Sequence, residues 1–183
     1  PAEWEAMVNI AAQRSASIAE PESLPRILAR QARRAKIRLP EKFTLSVQNL
    51  LEDFGAALGI AFDGEGGEEF FRSSLIQTVY YGLFAGWLLW REECNSGHLR
   101  EFTWDRVPEY LTIPFIGELF HELQHPTRIR ELGLREHLDI ATEALSRVDH
   151  AAFKSRMTFA TPAFDESNAP QTHAAIMYFY EPF

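Results

Sequence analysis

The chain has 183 residues, 46% of them hydrophobic and 13% aromatic, which supplies ample apolar surface for a domain core and excludes disorder of the whole. The formal net charge is −8, and the one cysteine, Cys94, excludes an internal disulfide and agrees with a reducing, cytoplasmic setting. The longest nearly apolar run, from Val79 to Trp90, falls short of the roughly 20 residues a membrane span needs, and no basic-then-apolar leader opens the chain.

Taken in order, the elements predicted are helices. Residues 1–20 read as a lead-in, and the first helix follows with Ser23 as N-cap and Pro25 in its first turn. It should stop before Pro40, because proline cannot continue the hydrogen-bond ladder. Leu24, Ile27, Leu28 and Ala35 fall on one side at helical spacing, and Arg26, Arg30, Arg33 and Arg34 lie largely on the other. Between Ser23 and Pro40 stand six cations and no acid, in a chain that is acidic overall. Such a face suits phosphate contact, since guanidinium groups neutralise backbone charge and release counterions. It equally suits a solvated surface or one paired with acids elsewhere, the commoner fate of a charge run. The sequence leaves both open.

A second helix runs from near Thr44 to about Gly59, with Leu50, Leu51, Phe54, Ala57 and Leu58 recurring every three or four residues. Asp63–Gly67, DGEGG, is a turn-rich break. Phe70–Trp90, FFRSSLIQTVYYGLFAGWLLW, is a long apolar helix that must be buried in protein, ending in a turn at Asn95–Gly97. Gly82 and Gly86 stand four apart on it, a pattern that calls for close approach of another helix to offset a cost of roughly 1 kcal/mol per mid-helix glycine. Gln77 and Tyr81, also four apart, form an expected buried polar pair that must find hydrogen-bond partners. A short helix from Trp104 to Tyr110 begins near Thr103 or Asp105. Pro114–Gln124 and Leu134–Arg147 follow as helices, separated by a polar stretch containing Pro126 and Gly133. TPAFDESNAP, from Thr161, reads as a loop and Gln171–Tyr180 as a last helix. The fold expected is all-α, an irregular bundle of about six or seven helices, with residues 21–160 as the bundle and 161–183 as a loop and terminal helix.

Gln77–Leu88, QTVYYGLFAGWL, closely resembles the Q-T-x-x-Y-G-L-F-A-x-x-L signature of the helical connector preceding the catalytic domain in adenine-specific DNA methyltransferases of fused, type IIG-like restriction-modification enzymes. Further segments follow in that family's order. Leu24–Ile37 resembles its leading Leu/Ala/Arg-rich helix, Ile113–Leu123 its N-P-F-L-x-x-L-F-x-x-I segment, and Leu138–Phe153 a weaker helical stretch. Ala174–Phe183, with Tyr178, Phe179 and Tyr180, looks like its H-F-Y-E-x-F-L signature. The resemblance marks Gln77, Tyr81, Gly82 and Phe84 as structural signature residues and strengthens the reading of Arg26, Arg30, Arg33 and Arg34 as DNA phosphate contacts.

The resemblance implies a non-catalytic scaffold of a site-specific, adenine-directed DNA methyltransferase serving defence against foreign DNA. Its partners would be DNA, a downstream methyltransferase domain and an upstream nuclease or motor domain. S-adenosylmethionine would belong to the methyltransferase domain and magnesium to a nuclease. Neither an Asn/Asp-Pro-Pro-Tyr/Phe motif nor a Pro-Asp pair occurs in these residues, so no catalytic, cofactor-binding or metal-binding residue is expected in this segment. Pro1 at one end and Phe183 directly after YFYEP at the other suggest a piece of something longer.

A rival signal is His121–His125, HELQH, which fits the His-Glu-x-x-His pattern of zinc hydrolases. There His121 and His125 would share the metal and Glu122 would act as base on its water. Pro126 directly after the second histidine should end the helix there, and no third ligand is obvious; Glu143 reads as an exposed helix position. A zinc hydrolase, and a helical protein-interaction module without any DNA connection, remain as alternatives.

Overall fold

The computed structural model describes residues 23–149, apart from residue 60, residues 63–65, residues 95–100 and residue 112. The expected lead-in, the loop from Thr161 and the terminal helix with Tyr178, Phe179 and Tyr180 lie outside the described residues. Among the described residues seven α-helices are present: α1 (Ser23–Arg38), α2 (Leu45–Leu58), α3 (Gly67–Cys94), α4 (Val107–Tyr110), α5 (Pro114–Gln124), α6 (Pro126–Leu132) and α7 (Arg135–Ser146). A single 3-10 turn, Trp104–Arg106, leads into α4, and no strand is formed among the described residues. The fold is all-α. No helix among the described residues is long and apolar enough to cross a membrane.

The chain divides into two compact units, one of residues 28–142 and one drawn from residues 1–27 and 143–183. In the second unit, among the described residues, Leu24, Ala144, Leu145 and Val148 are buried, and the Ser146 hydroxyl donates to the Glu143 carbonyl at 2.8 Å.

In the larger unit α3 forms the core. Its 28 residues begin with Glu68 and Glu69 in the first turn and carry Arg91 in the last, signs that suit the helix dipole at both ends. Phe71, Leu75, Val79 and Leu83, with Ile76, Tyr80, Phe84 and Trp87, are buried at i, i+4 and i+5 spacings, so a broad face of the helix is enclosed. Phe71 meets Phe54 of α2 edge-on at 5.8 Å between ring centroids. Phe54 in turn lies 5.0 Å from Phe115 of α5, which ties three helices through one aromatic cluster.

The two glycines of α3 mark where its neighbours come closest. A Cβ on Gly82 would stand 2.7 Å from both Ile116 and Phe120 of α5. At Gly86 it would stand 3.1 Å from Val107 of α4. The expected close approach of another helix is thus present at both positions.

The ends of α2 and α6 follow local chemistry. Thr44 accepts a hydrogen bond from the Val47 N–H at 3.4 Å as N-cap of α2 and donates to Glu131 of α6 at 3.0 Å. Gly59 and Gly133 close α2 and α6 in the left-handed conformation at φ 66°.

Two expectations need correction. The stretch containing Pro126 is helical: proline has no N–H to lose at a first helical position and its fixed φ suits one, so it ends α5 and starts α6 together. The phenol enclosed by the core is Tyr80, with Tyr81 and Gln77 only half-buried. Tyr80 Oη reaches toward the His137 carbonyl of α7 at 3.5 Å, and burial pushes its pKa above the ordinary tyrosine value.

Candidate functional site

On α1 the apolar and charged faces separate cleanly. Leu28, Ala29, Ala32 and Ala35 are buried, and Arg26, Arg30, Arg33, Arg34 and Arg38 are exposed. Arg26 lies in the first turn, within the smaller unit; the site in the larger unit comprises Arg30 through Arg38. Arg30, Arg34 and Arg38 recur every fourth residue, so their Cα atoms rise about 6 Å per step along one slowly winding stripe. Arg33 stands beside that stripe. Among the described residues Arg30, Arg34 and Arg38 make no hydrogen bond and no ion pair.

Not every cation of the run is available. Lys36 donates to Glu69 at 2.6 Å and to Ser73 Oγ at 2.8 Å, which fastens α1 to the start of α3. The hydrogen bond from Lys36 and its charge hold the Glu69 carboxyl below the usual carboxylate range.

Arg72, which the sequence did not single out, is wholly structural. Its guanidinium donates to the Leu39 carbonyl at 3.4 Å, the Pro40 carbonyl, the Glu41 carbonyl at 3.0 Å and Glu68 at 2.6 Å. The same group lies 4.5 Å from the centre of the Phe43 ring. It therefore braces the link between α1 and α2 and fixes where the arginine face points. The i, i+4 spacing from Glu68 announces one of these contacts, but the other acceptors are backbone carbonyls more than thirty residues earlier, which no local pattern announces.

Near the end of α1 the structure adds a residue of another kind. His137 of α7 is buried, and its Nδ1 lacks a hydrogen-bond partner among the described residues. Burial first, then the Arg38 and Arg34 cations, depress its pKa below 6.5, against an opposing pull from Glu136. The stripe thus runs up to the first turn of α7.

The HELQH residues are arranged differently from a zinc site. His121 lies exposed on α5, its Nδ1 3.4 Å from Gln124 Oε1. His125 lies beyond the last turn of α5, its N–H bonded to the Glu122 carbonyl at 3.2 Å, and its extended ψ turns the chain into α6. The turn that should align the two imidazoles is tightened to i−3 geometry. Glu122, the would-be base, pairs with Arg128 at 3.0 Å. Among the described residues no three His, Cys, Asp or Glu side chains gather as metal ligands, and Glu143 is exposed on α7.

Of the remaining signature residues, Phe84 is buried and stacks on Trp87 at 5.8 Å, so packing accounts for it and for Gly82. A cleft of about 350 Å³ opens between α2 and α5, with Leu50, Phe54, Phe115 and Leu119 beneath and Asp53, Glu118 and Glu122 around it. Compared with known protein families, with characterised proteins and with solved structures, the chain shows no match.

Proposed function

We propose that this chain is a non-catalytic helical scaffold that presents the outer face of α1 to the phosphates of DNA. The observation that carries the reading is the exposed stripe of Arg30, Arg34 and Arg38, with Arg33 beside it, on a helix that contains no acid. Arginine contacts to phosphate give position and affinity without reading sequence, so one-signed guanidinium groups on a rigid rod suffice. Arg72 and Lys36 hold that rod against α3, which supplies the rigidity.

The wider setting is the connector of a restriction-modification adenine methyltransferase, and its support is the ordered likeness of Leu24–Ile37, Gln77–Leu88 and Ile113–Leu123 to that family's segments. In that setting S-adenosylmethionine chemistry belongs to the neighbouring catalytic domain, and cytoplasmic location follows from the task.

Binding of a labelled DNA duplex, followed by fluorescence anisotropy over a range of salt, tests the phosphate reading. The logarithm of affinity should fall linearly with the logarithm of salt, by about 0.9 per phosphate neutralised. Joint Arg30→Ala, Arg34→Ala and Arg38→Ala substitution should flatten that slope by about three; binding that ignores salt, or no binding, sinks the reading. The wider setting has a separate test. Methyl transfer from labelled S-adenosylmethionine to adenine in DNA by the natural full-length protein should collapse when residues 1–183 are deleted, and its absence from the intact protein overturns the methyltransferase half.

A second reading, a helical protein-interaction module, is favoured by the cleft between α2 and α5, whose apolar floor and carboxylate rim suit a basic peptide. Partner binding that survives the arginine substitutions would favour it over the first.

A further inference from the structure

We infer that the phosphate-binding surface does not end with α1 but continues onto the elbow between α6 and α7, where Arg130 and Arg135 hold a further DNA backbone phosphate. This rests on the reading of α1 as a DNA-phosphate face and extends it to residues almost a hundred positions away.

The geometry begins at the end of α1. A Cβ built on Gly133, the left-handed residue that closes α6, would stand 3.3 Å from the Arg38 carbonyl. The elbow therefore sits directly against the last residue of the arginine stripe. The Arg38 and Arg34 cations help to hold the pKa of His137, at the start of α7, below its ordinary value, in keeping with that proximity.

At the elbow itself a cleft of about 460 Å³ is lined by Pro126, Ile129, Arg130, Gly133, Arg135 and Glu136. That volume is ample for a phosphodiester group. Arg130 is exposed and, among the described residues, makes no hydrogen bond or ion pair. Arg135 has only a loose contact with Asp139 at 3.9 Å, both side chains being more than half exposed, and such pairs contribute little in water. Of the nearby acids, Glu131 accepts from Thr44. Glu136 lines the cleft, but the two lining guanidinium groups outweigh it.

Arg34, Arg38, Arg130 and Arg135 are thus gathered from three helices at one end of α1. Guanidinium groups at the edge of a concave site match the forked geometry of phosphate oxygens. A duplex strand following the α1 stripe in the direction of its C-terminus meets this cleft next. No stretch of sequence signals the arrangement, because neither Arg130 nor Arg135 belongs to a basic run.

The experiment compares the full chain with three variants by the same salt titration against a labelled duplex, with thermal melting to verify that each is folded. Joint Arg130→Ala and Arg135→Ala substitution should lower the slope by about two and weaken affinity at least tenfold at moderate salt. Joint Arg130→Lys and Arg135→Lys substitution should keep the slope, because the charge remains, while losing part of the affinity that forked contacts provide. If the double alanine variant binds like the original chain while the Arg30, Arg34 and Arg38 triple alanine variant does not, the elbow is no part of the surface and this inference is wrong. If the original chain fails to bind DNA, the reading of α1 falls and the inference falls with it.

Discussion

Helices α1 and α3, fastened where the end of one meets the start of the other, use arginine for opposite purposes. Arg72 on α3 spends its guanidinium on three main-chain carbonyls, a carboxylate and an aromatic ring. Arg30, Arg34 and Arg38 on α1 leave theirs to solvent. A cation whose donors are all satisfied inside the fold serves stability. One whose donors face water serves whatever negative charge arrives, at little cost to the fold. The difference lies in packing: α3 is enclosed on a broad face, whereas α1 buries one side, with Leu28, Ala29, Gln31, Ala32 and Ala35, and leaves its outer face in water.

The sharpest way to break that comparison is through the core. Trp87→Ala should destabilise the protein by about 3–5 kcal/mol, read as a drop in the urea midpoint, because a fully buried indole leaves a cavity its neighbours cannot fill. Gly82→Val should cost about 3 kcal/mol by forcing Ile116 and Phe120 away from α3, measured the same way. If Gly82→Val were neutral, the close approach of α5 would not be what selects glycine.

A smaller effect lies where the two kinds of surface meet. The folded protein holds His137 below its ordinary 6.5. As pH falls through 6.5 the unfolded chain takes up a proton that the folded chain refuses, so stability declines until the folded imidazole itself titrates; above that window His137 contributes no pH dependence. His137→Gln should flatten this part of the stability profile below about pH 7, followed by denaturant midpoints. An unchanged profile would mean that the buried imidazole does not carry the effect.

The least expected change in stability is on α1. Joint Arg30→Ala, Arg34→Ala and Arg38→Ala substitution should change stability only within the scatter of ordinary surface changes, about 0.5 kcal/mol per site, while flattening the salt dependence of DNA binding. A large loss of stability would place these arginines with Arg72, in the scaffold.

Much of the fold was legible because short-range rules govern it. The spacing of Leu24, Leu28 and Ala35 gave the buried side of α1, Thr44 and Gly59 bounded α2, and the glycines of α3 announced a close neighbour before that neighbour was known. The errors fell where local signals compete. Pro126 ends one helix and opens another with equal facility, and two adjacent tyrosines in an apolar helix do not declare which is enclosed. HELQH has the spacing of a metal motif, yet its last residue is committed to the junction between α5 and α6 and its glutamate to Arg128.

By itself the sequence determined an all-α chain with one arginine-bearing face, since helix periodicity, caps and charge runs are properties of neighbouring residues. Only the tertiary structure decided which cations are engaged and which are available. It placed Lys36 on Glu69, folded Arg72 under the α1–α2 link, and brought Arg130 and Arg135 to the end of α1. Those outcomes depend on which distant groups packing brings within a few ångströms, and electrostatic and hydrogen-bond energies fall too steeply with distance for residue order alone to reveal them.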